Sequence, residues 1–478
     1  MSNQKLININ ILYIILIIFI GCSLRFAYFI DIDAWFDEWN MLYTIDPNIS
    51  TEDTWNRYYG DRGDYNLPEY YPPLNAFFLK FILGISDYNI ENTRLLSLIF
   101  GSGSLCLIFY LSKIFTNFKY SILTTSIASL NLFLIWQSAE IRPHSFVVFF
   151  SLLSTILFLK ILNKNFSENK VLFFFYFLTS LILLSSWPFA LIIFFAKFIF
   201  LFHEFFLLKK INKKIFFLLF LIILFYILLN YNYLIYHLAR DEHYTKLKLS
   251  FFYSYHFRSF FGSIPMGAIF LILFSFLLIK NFKNIFHQNS KDNLLLSIIL
   301  SSYFLTITYS IISASVISPK YVIFILPLII IWIVLKIETL NFKFKNILII
   351  FLIVAVTFNC FINFKKNPID RPPTKDILNI IIKSDIDQIY TNESEVFNNF
   401  VKIHKIFKKE NLKINKVNNI QLKNKFWFMC LNNPRYTGRN INFPIEKKCK
   451  ILDDDKSLIL MEEIKITDYI LRKYEKKI

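Results

Sequence analysis

The chain has 478 residues, of which 55% are hydrophobic and 57 are phenylalanine, with a formal net charge of +18 and a mean hydropathy of +0.47. So much apolar side chain cannot be hidden in soluble cores, which excludes a soluble enzyme and a disordered or collagen-like chain. Nine glycines without a GxGxxG or GxxxxGK[ST] run leave no nucleotide-phosphate cradle, and five cysteines without CxxC or CxxH spacing argue against a zinc ribbon or a thiol-redox pair.

Apolar runs of bilayer-spanning length recur at roughly 9–30, 94–112, 120–137, 145–162, 171–186, 188–207, 215–236, 263–279, 294–317, 320–337 and 346–363. They predict a polytopic α-helical membrane protein with about eleven transmembrane helices. In the first run, Phe19-Ile20-Gly21-Cys22 weakly matches a lipoprotein cleavage box. The apolar run continues past the cysteine to Ile30 behind a single lysine, so it reads as an uncleaved first helix.

The loop that follows opens Asp31-Ile32-Asp33-Ala34-Trp35-Phe36-Asp37-Glu38-Trp39-Asn40. On a helical wheel Trp35, Phe36, Trp39, Leu42 and Tyr43 share one apolar face, with Asp37 and Asn40 opposite. That pattern predicts a helix lying at the membrane interface with its aromatic side down. The loop ends Leu67-Pro68-Glu69-Tyr70-Tyr71-Pro72-Pro73-Leu74, where paired prolines fix an extended entry into the next segment. Segment 73–85 is too short to span and reads as re-entrant or interfacial. The third span closes on Trp136-Gln137-Ser138-Ala139-Glu140-Ile141-Arg142-Pro143-His144, an acid, an arginine and a histidine in one tight turn. In loop 237–262, His237, His243 and His256 are spread out and read as surface or acceptor-side residues.

Sidedness follows from lysine. Alternate loops carry Lys113 and Lys119; Lys160, Lys164 and Lys170; Lys209, Lys210, Lys213 and Lys214; Lys280, Lys283 and Lys291; and Lys336, Lys343 and Lys345. The positive-inside rule puts these loops and the N-terminus in the cytoplasm, and an odd number of spans then puts the C-terminal tail outside. Against 41 lysines there are 11 arginines, and the seven before the tail (Arg25, Arg57, Arg62, Arg94, Arg142, Arg240 and Arg258) all fall on the outer side. A planar guanidinium fork is favoured where a phosphate or carboxylate is gripped. Surface ion pairs account for some of the seven.

Beyond Phe364 the long apolar runs stop. Short apolar segments at 377–382, 386–391, 425–431 and 457–460 predict a small extracytoplasmic α/β or α+β domain. Its Cys430 and Cys449 form a disulfide in an oxidising compartment or remain two thiols. Lysines and arginines number 24 from Lys365 onward against 15 acids, a net of +9. This reads as a solvated basic surface, or as one that holds anionic lipid heads or an acidic acceptor. No basic stripe with interleaved exposed aromatics points to nucleic acid.

Five features in order resemble a known family: Asp37-Glu38 after the first span, Pro72-Pro73-Leu74, Arg94-Leu95-Leu96-Ser97, Glu140-Ile141-Arg142-Pro143, and Pro319-Lys320-Tyr321-Val322 leading to Pro327. Over about residues 10–340 the chain looks like the membrane-embedded C-type glycosyltransferases of the protein O-mannosyltransferase and lipid A aminoarabinose-transferase superfamily. The resemblance implies residues 1–364 as a transferase domain, with 31–92 as its outer catalytic loop, and leaves 365–478 as a separate soluble domain. It implies transfer of a sugar from a polyprenyl-phosphate donor to a glycan, lipid or protein acceptor at the outer face. Asp37 is then the base and Glu38 its support, while Arg142, Lys320 and Arg94 bind the donor phosphate. Glu69, Tyr71, Glu140 and Tyr321 support the loop or the acceptor.

Two departures bear on cofactors. Tyr71 stands where many relatives have histidine before the proline pair, and Ser185-Ser186-Trp187-Pro188 lacks the histidine often found near the outer start of the sixth span. Both leave a divalent metal conceivable but unsupported, and no cofactor is required. A transporter or flippase of a lipid-linked or anionic solute is the main alternative. It lacks the expected repeated halves and the matching broken helices.

Overall fold

The computed structural model describes residues 2–30, 32–34, 36–59, 72–162, 164–166, 168–208, 213–238, 255–285, 292–312, 317–340, 345–366, 374–384, 386–391, 413–416, 424–431, 452, 455–466 and 469–477. The helices in chain order are α1 (Ser2–Ile30), α2 (Phe36–Thr44), α3 (Thr51–Tyr59), α4 (Leu74–Ile85), α5 (Ile90–Phe115), α6 (Phe118–Ser129), α7 (Leu132–Gln137), α8 (His144–Ile161) and α9 (Lys170–Leu184). After a 3₁₀ turn at Pro188–Ala190 come α10 (Leu191–Leu208), α11 (Lys213–Leu229), α12 (Tyr231–Leu238), α13 (Phe257–Phe261), α14 (Ile264–Ile285), α15 (Asp292–Ile312), α16 (Ile325–Glu338), α17 (Lys345–Asn363) and α18 (Thr374–Lys383). Strands β1 (Gln388–Thr391), β2 (Lys413–Lys416), β3 (Lys425–Leu431), β4 (Leu458–Ile466) and β5 (Tyr469–Lys476) complete the chain.

The chain forms two compact units. One comprises Met1–Ile30, Tyr70–Asn75 and Arg94–Pro368; the other comprises Asp31–Glu69, Ala76–Thr93 and Ile369–Ile478. Seven helices among the described residues are long and apolar enough to cross a bilayer: Asn10–Ile30, Ile90–Phe115, His144–Ile161, Pro188–Phe206, Ile264–Phe282, Asp292–Ile312 and Lys345–Asn363. The remaining expected runs are helical but short or broken. Caps at Leu130 and Asn131 split run 120–137, Asn230 separates α11 from α12, α9 has 15 residues, and α16 starts only at Ile325 and has 14. Among the described residues seven helices thus meet the length of a span, and the expected count of about eleven is not confirmed.

Large apolar side chains such as Phe174, Phe217, Phe276, Phe304 and Phe358 point outward and stay exposed, as helices bathed in hydrocarbon require. By contrast α16 is buried all round from Ile325 to Leu335 and is the central helix of the first unit.

The break between α6 and α7 frees backbone groups that hydrocarbon cannot satisfy. Asn131 caps α7 by accepting from Leu134 N at 3.0 Å. Arg25 of α1, 1% exposed, donates to Gly21 O at 2.9 Å and reaches Ser129 O and Ala128 O at the end of α6. Gly262, with φ of +82°, lets its segment close over Leu132; a Cβ there would stand 2.5 Å from Leu132 Cδ1. At the far end of these helices Lys336 pairs with Asp292. Asn117 Nδ2 donates to Glu338 Oε1 at 2.6 Å and Lys345 Nζ to Glu338 O at 2.9 Å.

In the second unit α2, α3 and α4 are knitted by polar contacts. Ser50 caps α3, its Oγ accepting from Asp53 N at 2.9 Å and donating to Asp53 Oδ2 at 2.7 Å. Lys80 of α4 donates to Asp46 O at 2.6 Å and Ile49 O at 2.9 Å. Burial lowers its pKa from the usual lysine range, and nearby Asp46 opposes that. Tyr88 OH donates to Leu42 O at 2.8 Å, and Trp55 meets Phe77 with ring centroids 4.7 Å apart.

The tail is a mixed five-stranded sheet of order β2-β1-β3-β5-β4. β1 runs parallel to β2 and β3, and β5 runs antiparallel to β3 and β4. Tyr390, Phe426, Phe428, Leu458 and Tyr474 form its core. Cys430 is disulfide-bonded, and its expected partner Cys449 lies outside the described residues.

Candidate active site

The candidate site is built around the turn between α7 and α8. Gly101 lets α5 press against this turn: a Cβ there would come within 2.6 Å of Ser138 Cβ. One turn earlier on α5, Ser97 Oγ donates to Glu140 O at 2.6 Å, and Arg94, one turn earlier again, is 2% exposed. Ser145 Oγ closes the turn by donating to Gln137 O at 2.9 Å.

Glu140 is fully buried and does two things. Its Oε1 accepts from Gln137 Nε2 at 3.1 Å, and its Oε2 lies 3.3 Å from His144 Nδ1. The His144 ring meets Trp187 edge-on at 5.5 Å. Trp187 Nε1 donates to Tyr321 O at 2.9 Å, and Tyr321 stacks on Phe189 at 4.9 Å. Lys320 and Arg142 both act electrostatically on His144. Thus the ends of α7 and α8, the Pro188 turn and the segment before α16 meet in one place. It holds one carboxylate, two permanent cations and a histidine between them. Arg142 is buried and Lys320 half-buried. Such a set favours an anion and can fix its orientation.

Of the residues singled out from sequence, Glu140, Arg142, Lys320 and Tyr321 come together here, and Arg94 lies buried on the adjoining helix. Glu38 is fully buried on α2, on the same face as Met41, Leu42 and Ile45. Asp37 falls within α2, but its side chain is outside the described residues, as are Glu69 and Tyr71. His256, expected near the surface, is instead fully buried, its Nε2 3.1 Å from Tyr303 OH and its ring 4.5 Å from Phe260. A single-residue reading of loop 237–262 could not see the aromatic ring cluster that encloses it.

Sequence reasoning gave His144 no role and treated Trp187 only as a departure. The signal for both was present: a histidine four residues after a glutamate in the turn, and a tryptophan before proline at the end of an apolar run.

The fold matches that of a solved protein along nearly its whole length. Against ArnT from Cupriavidus metallidurans in the apo state the TM-score is 0.59 at 8% identity, covering 96% of this chain and 97% of that one. Against the same protein bound to undecaprenyl phosphate it is 0.55 at 10% identity, covering 96% and 98%. The chain has the ArnT fold. An oligosaccharyltransferase from Archaeoglobus fulgidus is more remote, with a TM-score of 0.44 at 9% identity over 82% of this chain and 61% of that one. ArnT is a C-type membrane glycosyltransferase, the class whose motifs the sequence resembles. No protein-family model and no curated sequence matches the chain.

Proposed function

We propose that the protein is an inverting glycosyltransferase moving a sugar from a polyprenyl-phosphate donor to an acceptor at the outer face of the cytoplasmic membrane. The observation that carries this reading is the gathering of Arg142 and Lys320 about His144. It occurs in a fold shared with a protein crystallised on undecaprenyl phosphate. Residues 1–364 are the transferase domain, with 31–92 its catalytic loop, and 365–478 an extracytoplasmic domain.

In this mechanism the donor phosphate lies against Arg142 and Lys320, with Arg94 adding charge behind them. The carboxylate of Glu140 holds His144 and offsets part of the local positive charge, so the anion is gripped without being trapped. Asp37 orients the acceptor hydroxyl and receives its proton. The acceptor oxygen bonds to the anomeric carbon as the bond from that carbon to the phosphate oxygen breaks, and polyprenyl phosphate leaves with the electron pair. One displacement inverts the anomeric configuration. A carboxylate at its ordinary pKa is a weak base, but the hydroxyl proton becomes acidic late in the displacement. The cations stabilise the departing phosphate, so no metal ion is assigned a role.

Two variants test the roles separately. Asp37→Asn should cut transfer from a polyprenyl-phosphate sugar by about 10²–10⁴-fold while expression and membrane insertion stay normal. Normal turnover would remove Asp37 from the chemistry. Arg142→Ala should act mainly on the lipid donor, raising its KM; an unchanged donor dependence discards the phosphate grip. If the purified protein instead moves intact lipid across a vesicle wall without consuming donor, the flippase reading replaces this one.

A further inference from the structure

α10 and α15 leave between them a cavity of about 440 Å³, within the range of small-ligand sites. Its lining runs along α15 from Asn293 through Ser297 and Ser301 to Phe304, and along α10 through Ile199 to His203. The span from Asn293 to Phe304 is about 16 Å of helix, roughly half the thickness of a bilayer's hydrocarbon core. Phe304, Leu300 and Ile199 are exposed on the outer surface of the helices, so the cavity opens sideways to the bilayer.

Polar groups are distributed unevenly. Asn293, Ser297 and Ser301 recur every four residues and line one wall, and His203, half-buried, lies near the end of α10. In the proposed topology the two helices run in opposite directions, which puts His203 and Asn293 together at the cytoplasmic end. Lys209, Lys210, Lys213 and Lys214 follow α10, and Lys280, Lys283 and Lys291 precede α15. In that topology the polar end of the cavity faces the lysine-rich side of the membrane, where an anionic head group is favoured.

We propose that this cavity holds one acyl chain of an anionic phospholipid of the cytoplasmic leaflet, with its phosphate at His203 and Asn293. A sugar donor held at Arg142 is a different ligand. From Leu191, which follows the Pro188 turn of the candidate site, to His203 is about 18 Å of helix, so the two head groups lie in opposite leaflets. The assignment rests on the sidedness proposed above, not on the transfer reaction.

The test uses the full-length protein in phosphatidylcholine vesicles containing phosphatidylglycerol with a photoactivatable group midway along one acyl chain, with crosslinks mapped by mass spectrometry. Labelling should concentrate on α10 and α15 around Ile199 and Ser301, several-fold above the lipid-facing side of α17 at Ile350 and Phe358. Unlabelled phosphatidylglycerol should compete, and undecaprenyl phosphate should not. Ser297→Trp should fill the cavity and remove the excess labelling; Leu300→Trp at the cavity mouth serves if that variant does not fold. His203→Ala should reduce the preference for phosphatidylglycerol over phosphatidylcholine. Labelling no stronger than on α17 marks ordinary boundary lipid and overturns the proposal, as does competition by undecaprenyl phosphate. Labelling from the outer leaflet alone also overturns it, and cysteine accessibility in the same vesicles reports whether the sidedness failed with it.

Discussion

Lys197 lies within α10, fully buried, where a charge costs about 2.5–3.5 kcal/mol on insertion scales. Its Nζ donates to Ser154 Oγ at 2.8 Å and Tyr176 OH at 3.2 Å. The rings of Phe194, Tyr176 and Phe158 lie 4.8, 4.9 and 5.2 Å from it, and Ser154 in turn contacts Ser180 at 3.0 Å. This amino group thus pins α8, α9 and α10 to one another through hydroxyls and ring faces. A cluster of this kind is stabilising only while complete, since a buried polar group stripped of a partner costs more than an apolar side chain of similar size. Tyr176→Phe should therefore lower the melting temperature in detergent more than Lys197→Met does. The reverse order would show that the lysine itself, and not its satisfaction, carries the stability. The sequence held this residue in plain view as a lone lysine inside the run 188–207, yet its partners come from two other spans and no pattern along one helix could name them. Arginine was more legible. The arginines expected on the outer side split once folded: Arg142 joins the candidate site, while Arg25 and Arg57 serve backbone carbonyls, Arg57 donating to Tyr43 O at 2.7 Å.

Elements follow the hydropathy pattern closely where they are uninterrupted and poorly where they break. α5 and α17 each cover an expected run, α8 matches one to within a residue and α15 covers 294–312 of another, because a continuous apolar stretch has only one low-energy form in hydrocarbon. Asn131, which caps α7, and Asn230, which stands between α11 and α12, are local polar signals inside apolar runs, and hydropathy averaging hides them. In the tail, β3 coincides with the apolar segment 425–431, whereas β2, Lys-Ile-Asn-Lys, has no apolar signature and owes its place to pairing with β1. The short segment containing His256 and α13 is another element made by its surroundings. Burial drives the His256 pKa down to about 3, so the folded state holds a neutral ring where the unfolded chain, near 6.5, takes a proton. Between those two values the unfolded state binds more protons, and stability is lost as pH falls. Thermal stability in detergent should thus decline steadily from pH 6.5 downward, and His256→Gln should flatten that part of the profile. A profile unchanged by the substitution would assign the acid sensitivity to other groups.

At the scale of the whole molecule, charge and covalent chemistry bear on the same question, which end of the chain lies outside. Lysine-rich loops alternate with lysine-poor ones along the sequence, and several of those lysines turn out to be structural as well, Lys336 on Asp292 and Lys345 on Glu338 O. The cytoplasmic side expected for these loops rests on their lysines. The disulfide at Cys430 points the same way, since such bonds persist in oxidising compartments, and Cys22, Cys106 and Cys360 in the spans are free thiols. What sequence could not supply was the meeting of Glu140, His144 and Trp187 with Lys320, because these groups come from separate spans and only the tertiary fold makes them neighbours. The topology nonetheless has consequences that can be measured without knowing the substrate. In intact cells, a cysteine placed at exposed Lys456 in the tail should react with a membrane-impermeant maleimide, whereas one at exposed Lys213 should react only after permeabilisation. With Cys430 oxidised, the background from the tail should appear only after reduction. Early labelling at Lys213 would invert the protein in the membrane and carry the candidate site to the cytoplasmic face, where a donor displayed on the outer leaflet cannot reach it.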